Sequence, residues 1–144
     1  MNDMSQTPET LLEVRHLSKN FGPVEALKDL SMKVHAGEVV ALAGDNGAGK
    51  TTLIKAISGV YAPSGGEIFL KGKPVAIGRA VYWNAQILIM DEPTAALGVP
   101  EQRKVIQLIH QLKAQGRGVI FISHNLQDIF AVADRIVVLR RGVQ

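Results

Sequence analysis

Eight residues from Gly44 to Thr51, GDNGAGKT, satisfy the pattern GxxxxGK[ST], whose chemistry is phosphate binding. Glycines 44, 47 and 49 remove the Cβ atoms that would keep backbone amides from converging on an anion, while Asp45, Asn46 and Ala48 complete the loop. The apolar run VVALA precedes the loop and the helical pattern TTLIKAI follows it. A helix N-terminus is therefore expected to point its partial positive charge at the same phosphates. Lys50 is placed to reach the terminal phosphates, and the Thr51 hydroxyl is placed to meet Mg²⁺.

A second constellation lies at ILIMDEP, where Asp91 and Glu92 end an apolar run. Ligands of open α/β sheets bind beyond the carboxyl ends of the strands. Acids there suit two tasks: Asp91 holding the hydration shell of Mg²⁺, and Glu92 polarising an attacking water. In GVIFISHN a third apolar run ends at His124, where an imidazole can sense a γ-phosphate. His16, His35 and His110 have no such placement and are expected at the surface.

The elements that must position these groups show in the hydrophobic pattern. Leu30, Met32 and Val34 alternate with polar neighbours, and Ile68 and Leu70 precede a turn at Gly72; both stretches predict half-exposed antiparallel strands. Four short, nearly continuous apolar runs, Val39 to Ala43, Ile87 to Met90, Val119 to Ile122 and Ile136 to Leu139, suit a parallel sheet covered on both faces. Between them Val105, Leu108, Ile109 and Leu112 recur at helical spacing before a stop at Gly116, and Leu126, Ile129, Phe130 and Ala133 repeat the pattern. Alternating strands and helices predict an α/β fold with right-handed crossovers. The polar, acidic residues 1–10 read as a disordered lead, and residues 11–144 as one domain.

Composition narrows the classes further. A chain of 144 residues with 47% hydrophobic content sustains one sizeable core. Its net charge of +3 is spread along the chain without a basic run, so no nucleic-acid partner is expected. There is no cysteine for a disulfide or thiolate metal site. No apolar run approaches the roughly 20 residues of a membrane helix.

Taken in order, these motifs resemble the ATP-binding subunits of ABC transporters, specifically the simple-sugar importer branch. GDNGAGKTT, which includes Thr52, resembles the Walker A loop, and LIMDEP the Walker B strand. TAALG is similar to the D-loop, FISHN to the switch histidine, and Phe21 in LSKNFG to the aromatic that stacks on adenine. The resemblance implies a P-loop NTPase with a RecA-like core, its mainly parallel sheet lying between helices, plus an N-terminal antiparallel β subdomain. It also implies ATP and Mg²⁺ as cofactors. Partners would be a second ATPase domain and membrane-spanning permease subunits, with a cytoplasmic location at the inner membrane.

One departure from that family is large. A Q-loop and a helical subdomain carrying LSGGQ should lie between GKPV and AIGRA, which meet here at about Val75 and Ala76. Thr51 and Asp91 are only 40 positions apart, enough for a helix, a hairpin and a return helix over Ile77 to Trp83. The SGG of Ser64 to Gly66 belongs to a turn before a strand and cannot serve as the signature. ABC ATPases hydrolyse nucleotide between the Walker A face of one subunit and LSGGQ of another. The resemblance therefore implies a truncated core that binds Mg-ATP with weak or no hydrolysis and has lost permease docking. Two alternatives stay open: a minimal ATPase active alone, and a complete subunit whose helical segment the sequence omits.

Overall fold

The computed structural model describes residues 9–44, 49–58, 62–74, 87–91, 98–123 and 126–140. The expected return helix over Ile77 to Trp83 lies outside them. Two sheets form. The first is antiparallel, with β1 (Thr10–Phe21), β2 (Val24–His35), β4 (Gly65–Leu70) and β5 (Lys73–Pro74) in the order β2-β1-β4-β5. In the second, β3 (Val39–Ala43), β6 (Ile87–Asp91), β7 (Gly118–Ile122) and β8 (Arg135–Val138) run parallel in the order β6-β7-β3-β8. Among the described residues three helices accompany them: α1 (Lys50–Ile57), α2 (Val99–Ala114) and α3 (Leu126–Val132). The expected α/β architecture and antiparallel β subdomain are both present, and the four apolar runs are the four parallel strands.

Period-two alternation in the parallel strands divides the core in two. Val40, Leu42, Ile120, Ile122 and Ile87 face one side, where they pack with Leu53, Ala56 and Ile57 of α1 and with Leu12, Val14, Leu30 and Val34 of the antiparallel sheet. Val39, Ala41, Val119 and Phe121 face the other, against Ile109 and Leu112 of α2 and Ile129 and Val132 of α3. Covered on both faces, β3 and β7 are apolar throughout, whereas the edge strand β8 leaves Ile136 and Val138 exposed. α2 starts with Pro100 in its first turn and ends before Gly116, whose φ of 81° suits the predicted stop. Among the described residues no helix is long and apolar enough to cross a membrane.

The antiparallel sheet departs from a simple hairpin. β1 and β2 shift register four times, and His16 and Asp29 take positive φ values of 51° and 48°. The exposed His16 Nδ1 lies 2.7 Å from Asp29 Oδ1, and the His16 amide donates to Ser31 Oγ. On the other side of β1, Gly66 approaches so closely that a Cβ there would lie 2.3 Å from the His16 carbonyl oxygen. His35 is half-buried against Thr10 Oγ1, and His110 is exposed. β1 begins at Thr10, within the stretch expected to be a lead, and the Ala36 amide donates to the Glu9 carbonyl.

Charge pairs hold the starts of the parallel strands. Asp134 accepts from the Val39 amide and pairs with Lys113; Glu38 accepts from the His35 amide at 3.0 Å and from Arg135 Nε at 3.1 Å. Burial pushes the Glu38 carboxyl up, but the Arg135 guanidinium and the His35 amide outweigh it and hold the group below its ordinary value. A carboxyl depressed in the folded state adds stability that is complete above its unfolded pKa and lost as pH falls through the folded value. Glu38→Gln is expected to be less stable than the parent at neutral pH, with the gap closing as pH falls below the ordinary carboxylate range and through the depressed Glu38 pKa. Urea unfolding across that range checks it; a gap independent of pH would show that the ion pair is not its source.

Candidate nucleotide site

The site is built where β3 hands over to α1. β3 ends at Ala43, and Gly49, with φ 106° and ψ 0°, is the N-cap of α1. That left-handed backbone suits a residue without Cβ. Among the described residues no side chain caps the helix, and its first turn holds no acid, which leaves the positive helix end open to an anion there. Lys50 is only 7% exposed, and its Nζ donates to the Gly44 carbonyl at 2.6 Å. A buried lysine answered by one backbone oxygen has donors to spare, which an anionic oxygen can take up.

Sheet register brings the second constellation to the same edge. Ile122 of β7 pairs with Leu42 of β3 on one side and with Asp91 of β6 on the other. The carboxyl ends of the three strands are therefore level, with neighbours about 4.8 Å apart. Asp91 continues the row of Ile87 and Ile89, which face the α1 side, and it is exposed. Thr51 is exposed and Thr52 half-buried at the start of α1. An uncapped helix start, a buried lysine and an exposed carboxylate on one face fit a phosphate with its metal counterion.

Phe21 sits at the tip of the β1–β2 hairpin beside Gly22, 42% exposed, with Lys19 Nζ 5.1 Å from its ring centroid. The tip is tied to the segment after α1: Lys19 Nζ donates to the Ala62 carbonyl at 2.8 Å and the Asn20 amide to Ser64 Oγ at 2.9 Å. Asp45, Asn46, Gly47, Ala48, Glu92 and His124 lie outside the described residues.

Two polar residues went unread in the sequence. Ser123 is 3% exposed and Asp128 is 6% exposed; with Lys50 they are the buried polar side chains among the described residues. The helical pattern put Leu126 and Phe130 on the inner face of α3, yet they are 60% and 71% exposed, and the buried face holds Asp128, Ile129 and Val132. Leu108 of α2 is likewise 45% exposed. The signal was the spacing of Asp128 and Val132, one helical turn apart, with an acid where an apolar residue is the default.

The ABC transporter family profile matches residues 27–76. The xylose/arabinose import ATP-binding protein of Sulfolobus acidocaldarius is 35% identical over an alignment covering 92% of this chain and 85% of that protein. The chain belongs to the family of ABC transporter ATP-binding proteins. A putative ribose/galactose/methyl galactoside import ATP-binding protein of Pseudomonas savastanoi pv. phaseolicola is 30% identical, with 94% of this chain matched. The ribose import ATP-binding protein RbsA of Yersinia pestis is 29% identical, with 96% matched. The chain spans only 41% and 43% of these two relatives. The alignment with the Sulfolobus protein extends over 214 positions while the chain has 144 residues, so at least 70 positions (214 − 144) face a gap in this chain. Among solved structures, the ATP-binding subunit of an ABC transporter superposes with a TM-score of 0.86 at 23% identity, covering 93% of this chain and 88% of that one. A nucleotide-free ATP-binding cassette superposes at 0.84 and 18%. Both share the ABC ATPase fold.

The conformation of Gly49 carries a direct consequence. Gly49→Ala is expected to cost about 1 to 2 kcal/mol of stability from the left-handed backbone alone, measured by urea unfolding without nucleotide. An unchanged midpoint would mean that the loop relaxes to a right-handed start.

Proposed function

We propose that the chain is the nucleotide-binding core of a sugar-importer ATPase, able to hold Mg-ATP but lacking the surface that makes such ATPases turn over quickly. The observation carrying this reading is the buried Lys50 after the left-handed N-cap Gly49 of α1, with the carboxyl end of β3 in register with Asp91 across β7. Gly44 to Gly49 cradle the phosphates, with Lys50 on the terminal ones. Thr51 and Asp91 would hold Mg²⁺, whose contribution is to neutralise phosphate charge. Phe21 stacks on adenine, a role that its exposure at the hairpin tip supports. Glu92 acts as general base toward the attacking water, and His124 meets the γ-phosphate. The sugar assignment rests on the relatives named above, which are ATP-binding proteins for xylose/arabinose, for ribose and, putatively, for ribose/galactose/methyl galactoside import.

The missing helical subdomain is placed at the junction of Val75 and Ala76. Two observations support it: the family profile stops at Ala76, and the alignment with the Sulfolobus relative needs at least 70 positions (214 − 144) that this chain lacks. With that subdomain go LSGGQ and the docking surface for the permease subunits, which the full-length family places at the cytoplasmic face of the membrane. Removing one preorganised charge-stabilising donor commonly costs about 10² to 10³ in rate, so turnover by the core is feeble.

Binding and assembly test the two halves of this proposal. Calorimetry with Mg-ATP is expected to show binding that Lys50→Ala abolishes, since charged hydrogen bonds at about 1.5 to 3 kcal/mol each are lost; equal affinity in the variant would sink the phosphate assignment. Glu92→Gln with Mg-ATP is expected to keep the assembly state of the nucleotide-free protein in light scattering, because no signature surface faces a second copy. An ATP-dependent dimer, or phosphate release at about 1 to 10² per second, would instead favour a self-sufficient ATPase.

A further inference from the structure

We infer that the outer face of the β1–β2 pair carries a second anion site, a groove that takes a small phosphate monoester. The groove, of about 420 Å³, is lined from β1 by Arg15 and His16, from β2 by Ser31, Lys33 and His35, and from β8 by its first residue, Arg135. Its volume is that of a small-molecule site. Glu13 is the one carboxylate in the lining.

A bulge gathers these groups. Val14 pairs with Met32 and Leu17 with Leu30, so Arg15 and His16 together oppose Ser31. Strict alternation would send one of those two side chains into the core, yet both are exposed. His16 takes its φ of 51° at this point, and its amide donates to Ser31 Oγ. Arg135 closes on β2 by donating from Nη2 to the Lys33 carbonyl.

Pairing within the fold orients the guanidiniums without using them up. Glu13 accepts from Arg15 Nε at 2.8 Å and from Nη2 at 3.1 Å, and Glu38 accepts from Arg135 Nε and Nη2, each at 3.1 Å. A guanidinium has five N–H groups, and among the described residues Nη1 of neither arginine has a partner. Lys33 Nζ has no hydrogen-bond or ion-pair partner among them either. Cations held this close repel one another, and a bound dianion relieves the repulsion. A phosphate monoester presents three terminal oxygens where a carboxylate presents two, and guanidinium forks match its geometry.

Position separates the groove from the nucleotide cradle. Arg135 is level with Val40, four residues and about 13 Å before Gly44 along the strand. The groove thus lies toward the amino end of β3, and the cradle follows its carboxyl end. The inference does not depend on the nucleotide reading above.

Calorimetry with glycerol 3-phosphate tests it in a Lys50→Ala chain, which removes phosphate binding at the cradle. Binding at a single site is expected. Lys33→Ala should weaken it at least tenfold, the size of one charge-assisted hydrogen bond, while Lys33→Arg should keep most of the affinity. Arg15→Gln, on the other strand, should show a similar loss, so the result does not hang on the folding of one variant. No binding by the Lys50→Ala chain, or equal affinity in both weakened variants, would overturn the proposal. Retention on phosphatidylglycerol vesicles without binding of glycerol 3-phosphate would overturn it too, since the face would then be a membrane contact.

Discussion

The pairing of Leu42, Ile122 and Asp91 across three parallel strands is the constraint on which the site depends. A parallel ladder holds its register through evenly spaced hydrogen bonds along the whole strand, so the carboxyl ends of β3, β7 and β6 cannot drift apart singly. Slipping β6 by one residue would carry Asp91 to the α2–α3 face and drive Leu88 and Met90 to the wrong core. The apolar contacts that fill the two cores are therefore also what keeps a carboxylate on the same side as α1 and its lysine. Position at the site is a by-product of packing in the strands.

The two edges of this sheet use polar chemistry in opposite ways. At the amino ends, charges are matched within the fold: Asp134 with Lys113 and the Val39 amide, Glu38 with Arg135 and the His35 amide. Asp134 and Val39 bond in both directions, the Asp134 amide donating to the Val39 carbonyl at 2.8 Å. That edge is closed. At the carboxyl ends, among the described residues, no side chain caps α1, Lys50 Nζ donates to the Gly44 carbonyl, and Asp91 is exposed. Groups left short of partners in an otherwise matched structure mark where a ligand completes the set.

How far the sequence revealed this depended on how regular each element is. The parallel strands were legible because their apolar runs are nearly continuous, fully so in β3 and β7, which are buried on both faces, and the start of α1 because the glycine before it takes a left-handed backbone. β1 was not legible. Its alternation is broken by register shifts and by His16 in a left-handed conformation, so that Leu11 and Leu12, adjacent in sequence, are both buried. The inner face of α3 was misread because Leu126 and Phe130 look like core residues, whereas Asp128 takes the buried place. A buried polar group works against the hydrophobic pattern, and pattern reading is blind to it for that reason.

Strand order also explains how a chain could lose a subdomain at Val75 and Ala76 and still keep its cradle. Among the described residues β3 lies inside the parallel sheet, paired on both sides by β7 and β8, while β6 ends the order. The proposed junction precedes β6, so the ladder that holds the cradle strand does not pass through it. Leu53, Ala56 and Ile57 of α1 pack on β3, β7 and the antiparallel sheet, none of which is interrupted there. Among the described residues β6 is the edge of the parallel sheet on that side. The consequences divide cleanly along the chemistry. On the proposed reading, ground-state contacts to phosphate would come from the retained strands and α1, whereas transition-state contacts would come from a second subunit's signature. A core cut at this junction keeps the first set and loses the second, which is why nucleotide affinity and turnover are expected to separate in it.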